Sequence, residues 1–138
     1  MRKITRKGIV RKLDETLRKI VMVRDGECVT CPLWKKYKPD FEGSDVLQAG
    51  HLLTRGKGVI KYDLNNVYCQ CKTCNFLHEG RPEFLTTYVI GVIGKKKYED
   101  LVFKGNKAKP IKTWELQELL TELEKMLEKE PYYPHEVF

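Results

Sequence analysis

Ile9, Leu13, Leu17, Ile20 and Val21 fall at spacings of three and four, a period that gathers them into one stripe of a helix, while Arg and Lys fill the opposite face. The pattern predicts a helix over 8–24. Leu116, Leu119, Leu120, Leu123, Met126 and Leu127 repeat that signature over 113–130, with Thr113 placed to cap the N-terminus. Between these two stretches the periods shorten. Residues 46–53 and 66–70 are apolar runs of strand length joined by a polar, glycine-bearing connection over 54–65, which predicts a hairpin with a long loop. Ahead of it, the Asp-Gly, Cys-Pro and Glu-Gly-Ser signals of 25–45 predict a knuckle-like turn and loop. After it, a short helix is predicted from Cys74 to Gly80, Pro82 suits the first turn of another through Ile90, and 95–103 is a further helical candidate. At 138 residues the chain has the size of one domain. The expected architecture is α+β: a basic N-terminal helix or arm over 1–24, a core over 25–94 and a C-terminal helical extension over 95–138.

Charge sharpens this picture because of where it lies. Residues 1–24 hold nine Lys and Arg against Asp14 and Glu15, a balance of +7, and the remaining 114 residues hold 17 basic and 17 acidic groups and sum to zero. All the excess positive charge therefore sits on one segment, as expected of a phosphate-binding helix. Lys7, Arg11 and Arg18 are its candidate DNA-backbone contacts. The bland alternative is a solvated face kept basic for solubility. Residues 113–130 carry six Glu against Lys125 and Lys129, so that helix is expected to pack on the domain or on a second copy in a homodimer rather than on DNA. No run approaches the roughly 20 apolar residues of a membrane span. The basic N-terminus has no apolar signal core behind it, so a cytoplasmic location is expected.

Five cysteines suit a metal better than a disulfide framework. Cys28-x-x-Cys31 and Cys71-x-x-Cys74 each place two sulfurs on a tight turn, and together they supply four thiolates for a closed structural Zn²⁺ site. The alternative is four buried thiols. The 39 residues between the pairs must fold as a unit. Cys69 is either a small buried hydrophobe, the preferred reading, or a substitute ligand.

Around the two knuckles the order is His51, Asn66, Cys71-x-x-Cys74-Asn75, His78. Hydrolysing a phosphodiester near neutral pH requires a base for the attacking water, and a neutral imidazole can serve. A divalent cation held by hard ligands can neutralise the phosphate and stabilise the leaving oxygen. A strand bearing His51 opposite a short helix bearing Asn75 and His78 would put base and cation on either side of one phosphate. Asn66 would fix the hairpin or orient the imidazole. Taken singly, a strand histidine is usually structural and Asn65-Asn66 reads equally well as a turn. Trp34, Tyr62 and Tyr68 can stack on unpaired bases or belong to the core, the commoner role.

The run Leu47-Gln48-Ala49-Gly50-His51, then Arg55, Asn66-Val67 and Gln70-Cys71-x-x-Cys74-Asn75, resembles the NinG (Rap) recombination proteins of lambda-like phages, within the wider HNH or ββα-metal nucleases. The likeness is tight over 47–75 and looser outward from there, reaching back to about residue 14. It implies an endonuclease that cuts branched recombination intermediates, such as D-loops and Holliday-type junctions, with Mg²⁺ or Mn²⁺, in a phage-infected or prophage-carrying bacterium. It makes His51 the general base, Asn66 the middle asparagine, Asn75 a catalytic-metal ligand and Arg55 a phosphate contact. Gly50 departs from the pattern, because many HNH enzymes carry Asp, Glu or His immediately before the base. The second metal ligand is then expected from His78, or else from Glu79. A non-catalytic zinc-containing DNA-binding module and an HNH restriction or homing enzyme are the alternatives.

Overall fold

The computed structural model describes residues 4–53 and 58–128. Its elements run α1 (Arg6–Asp25), α2 (Cys31–Tyr37), β1 (Leu47–His51), a 3-10 turn (Gly58–Tyr62), β2 (Val67–Cys71), α3 (Lys72–Leu77), α4 (Pro82–Ile93), α5 (Lys95–Asn106) and α6 (Thr113–Glu128). The fold is mixed α and β. Arg55 lies outside the described residues.

Helix α1 begins where the Thr5 side chain accepts a hydrogen bond from the Gly8 amide and ends at Gly26, whose φ of 76° suits a residue without a Cβ. Its stripe of Ile9, Leu13, Leu17, Ile20 and Val21 is buried against Leu116, Leu120 and Leu123 of α6 on one side, and against Val67 and Cys69 of β2 on the other. The acidic helix therefore packs on the domain's own basic helix. Thr113 does not cap it. That hydroxyl accepts from Arg6 (3.0 Å), and the amide of Lys112 is satisfied instead by the Glu115 carboxylate (3.1 Å).

The two strands pair antiparallel, with Leu47 opposite Cys71 and His51 opposite Val67. Every residue of β2 is buried, because α1 covers one face and a second cluster covers the other. In that cluster Tyr68 meets Leu85 and Val89 of α4, Leu101 of α5, Leu52 and Ile60. Tyr62 and Tyr68 are thus core residues, and so is Trp34, which stacks on Phe41 (5.1 Å between centroids) and meets Phe84 edge-on. None of the three can take a base.

Several boundaries differ from the expectation for identifiable reasons. Residues 25–45 contain α2, which begins at a cysteine followed by proline, so its start signal reads equally well as a turn. Helix α3 starts at Lys72, ahead of Cys74, because Cys71 acts as its N-cap, the sulfur accepting from the Cys74 amide. Helices α4 and α5 each run three residues longer than their sequence signals. Arg24, counted with the basic arm, is not part of it. Its guanidinium pairs with Asp25 at 2.7 Å, both side chains being about 5% exposed, and donates to the Leu64 and Val67 carbonyls while Asp25 accepts from the Cys69 amide. This charge ties α1 to β2 and is spent inside the fold.

Candidate metal centre and histidine site

The hairpin register brings the two knuckles together. Cys71 ends β2, Cys74 lies one turn into α3, and Cys28 and Cys31 flank the start of α2. All four sulfurs lie within 4.8 Å of one another, and Cys31 stands 3.7 Å from both Cys71 and Cys74. A tetrahedron with metal–sulfur bonds of about 2.3 Å has edges of about 3.8 Å, so the cluster has the dimensions of a four-thiolate metal site. Its electrostatics point the same way. A hydrogen bond from Cys74 holds the Cys28 thiol down to about 4, whereas burial, and then the neighbouring Cys28 sulfur, pushes Cys31 up to about 12. One thiolate is stabilised by its neighbours' protons, and more than one needs a cation. The 41–45 loop closes over the cluster at Gly43, where a Cβ would lie 2.7 Å from the Cys31 sulfur. The Glu-Gly-Ser turn signal marks this glycine in the sequence without revealing that it presses on the site. Cys69 stays outside the cluster: it is fully buried with its sulfur on Met22, and burial raises it to about 11.

His51 closes β1. Its Nε2–H donates to the Lys61 carbonyl (2.9 Å), which assigns the lone pair to Nδ1, and Nδ1 has no hydrogen-bond partner among the described residues. The ring's pKa is lowered, chiefly by burial, which outweighs the upward pull of the Lys61 backbone bond; the Lys61 charge adds a smaller downward push and Asp14 a smaller upward one. Near neutral pH the imidazole is therefore uncharged, and one nitrogen is free to accept a proton.

Asn66 makes this arrangement possible without reaching any substrate. It is fully buried. Its Oδ1 accepts from the Leu53 amide (2.8 Å), its Nδ2 donates to the Ile60 carbonyl (3.0 Å), and its own carbonyl accepts from the Leu52 amide. One side chain thus ties both ends of the hairpin connection and sets the backbone at Ile60-Lys61 that holds His51. Of the two expected roles, fixing the hairpin is the one these bonds display directly.

His78 is not placed as a ligand beside Asn75. His78 closes α3 with helical backbone angles (φ −56°, ψ −40°), three residues after Asn75, but its side chain turns inward to 4% exposure. Its Nε2–H donates to the Leu52 carbonyl (2.8 Å), and its Nδ1 is buried and unpaired. It braces the end of α3 against the strand exit. Glu79, the other candidate, is exposed.

Asn75 instead donates to the Gln48 carboxamide (2.9 Å), and the two border a shallow depression with Lys72, Thr73 and Phe76. His51 does not line that depression. It shares its strand parity with Leu47 and Ala49, which pack towards α1, whereas Gln48 faces α3. Gly50 is buried, and a Cβ there would lie 2.0 Å from Gln70 Oε1, an oxygen buried without a partner. The space beside Gly50 is therefore filled by the Gln70 side chain. Gln48 and Gln70 are readable as polar residues alternating with apolar ones, but nothing in the sequence ties them to Asn75 or Gly50.

Among the predicted DNA contacts, Lys7 and Arg11 are exposed on α1, and Arg18 is exposed with its guanidinium bonded to the Leu47 carbonyl (3.2 Å). Among the described residues no helix is long and apolar enough to cross a membrane. Comparison with family models, curated proteins and solved structures returned no match to this chain.

Proposed function

We propose that the chain is a zinc-pinned HNH-type endonuclease that hydrolyses phosphodiester bonds in DNA. The observation that carries the reading is the His51 imidazole: neutral, oriented through Nε2 by the Lys61 carbonyl, with Nδ1 left as the proton acceptor. Nδ1 takes the proton of a water attacking phosphorus, while the cationic face of α1 supplies sequence-independent attraction for the backbone. Zn²⁺ fits the four cysteines and supplies folding energy rather than chemistry, because a four-thiolate site has no open position. The resemblance to NinG proteins over 47–75 makes branched recombination intermediates the substrate to test first.

The residues present do not make a built Mg²⁺ or Mn²⁺ site. Asn75 and Gln48 offer neutral amide oxygens, Gly50 offers none, and the cysteine cluster is the sole group of three or more His, Cys, Asp or Glu ligands found among the described residues. Such cations normally rest on one or two carboxylates plus substrate phosphates. This donor set favours a second reading, a zinc-containing DNA-binding module without catalysis.

The two readings separate on a labelled four-way junction and a matched linear duplex, each with Mg²⁺ or Mn²⁺, for the native chain and His51→Ala. Nicking that falls by about 10²- to 10⁴-fold in the variant while binding persists supports the nuclease. Junction binding with no nicking under either cation assigns the binding module.

A further inference from the structure

We infer that Phe76 is a stacking platform for an unpaired nucleobase, an inference that rests on the reading that this molecule meets DNA. Helix α3 turns Cys74 and Leu77 inward to the cysteine cluster and leaves Phe76 facing out, 83% exposed, above every other large hydrophobic on the described surface. Two other exposed rings are engaged, Arg81 lying over Tyr37 at 4.3 Å and Lys107 over Phe103 at 4.5 Å, and a third, Trp114 at 59% exposure, stands on α6 beside Glu118 and Glu122, which repel a phosphate. Phe76 has no ring or cation partner among the described residues. Left in water, a side chain of this size forgoes the free energy of burial that a covering partner would return.

What surrounds the ring identifies the occupant. The depression beside it is lined by Lys72, Thr73, Asn75 and Gln48, with one cation and no carboxylate. A nucleotide presents a flat π face, a hydrogen-bonding edge and a phosphate, and the phenyl ring, the two carboxamides and the Lys72 ammonium match these in turn. Bases in an intact duplex are already stacked and paired, so the ring selects bases that are unpaired, as at a branch or a single-stranded end.

The test uses the full zinc-loaded chain on the His51→Ala background, without added Mg²⁺ or Mn²⁺, so that binding is read apart from cleavage. The probes are a short single-stranded oligonucleotide carrying 2-aminopurine and the same sequence as a duplex. Stacking on Phe76 quenches the single-strand fluorescence. Phe76→Ala abolishes the quenching and weakens single-strand binding by about 5- to 150-fold, the equivalent of one stacked base, with duplex affinity unchanged. Phe76→Trp restores both signals, and Lys72→Gln weakens both DNA forms and lowers the salt slope by about one. Single-strand binding and quenching unaltered in Phe76→Ala overturn the inference, as does a dimer that dissociates in that variant while DNA binding is unchanged. Failure of the nuclease reading looks different: the native chain then binds junctions without nicking them, whatever residue stands at position 76.

Discussion

The α1–α6 pair and the cysteine-bearing end of the molecule hold together by different means. Two facing helices bury Ile9, Leu13, Leu17 and Ile20 against Leu116, Leu120 and Leu123, and apolar area alone accounts for their association. At the other end the buried groups are Cys28, Cys71 and Cys74 with Trp34 and Phe41, clustered around four sulfurs that cannot all ionise without a cation. The hairpin joins the two: one face of β2 packs on α1, the other on Leu85, Val89 and Leu101, and its Cys71 end enters the sulfur cluster. A residue such as Leu13 therefore contributes in proportion to the area it buries. A residue such as Cys71 contributes only through the geometry of the whole set.

That contrast predicts effects of different size. Removing the metal has the largest, since zinc-binding energy in structural sites is folding energy of roughly 10–16 kcal/mol in apparent terms. Chelation, or Cys71→Ser, should unfold the cysteine end. Trp34, buried there, reports it directly once the exposed Trp114 has been replaced by Phe. Cooperative melting of the metal-free chain with Trp34 still buried would remove the distinction between the two ends. Leu13→Ala should cost about 2–5 kcal/mol by leaving a cavity between α1 and α6, read by chemical denaturation, with zinc stoichiometry unaltered at one ion per chain. Loss of metal in that variant would instead make the two regions one cooperative unit.

The smallest effect is in pH. The folded chain holds His51 below its ordinary value of 6.5 by burial, so the unfolded chain binds this proton first. The resulting stability is fully present above 6.5 and is lost as pH falls through the lower folded value. His51→Gln should flatten the acid side of the stability profile, and the acid limb of any cleavage profile should lie below 6.5. A limb above 6.5 would mean that the ring is charged in the working state, contrary to a water-activating role.

The amino-acid pattern carries much of this fold, and carries it unevenly. The stripes of α1 and α6 are readable because period and burial coincide there, and the hairpin because two short apolar runs flank a polar connection. Pattern groups Arg24 with the basic arm, since its charge is identical to its neighbours' and only the fold brings the Leu64 and Val67 carbonyls and the Tyr68 ring to it. Spacing places His78 one turn after Asn75, and only the fold shows that its ring bonds to the Leu52 carbonyl while the Asn75 amide bonds to Gln48.

The chain's pattern alone settled the stripes of α1 and α6, the two short strands and the two matched cysteine pairs, because period and ligand spacing are local properties, but it did not show α2. Only tertiary structure decided that the two pairs meet within 4.8 Å, that Asn66 holds the Ile60 carbonyl next to the Lys61 carbonyl that faces His51, and that Gln70 fills the space beside Gly50. Those relations join residues far apart along the chain, and their distances exist only once α1, the hairpin and the α4–α5 pair have packed on one another.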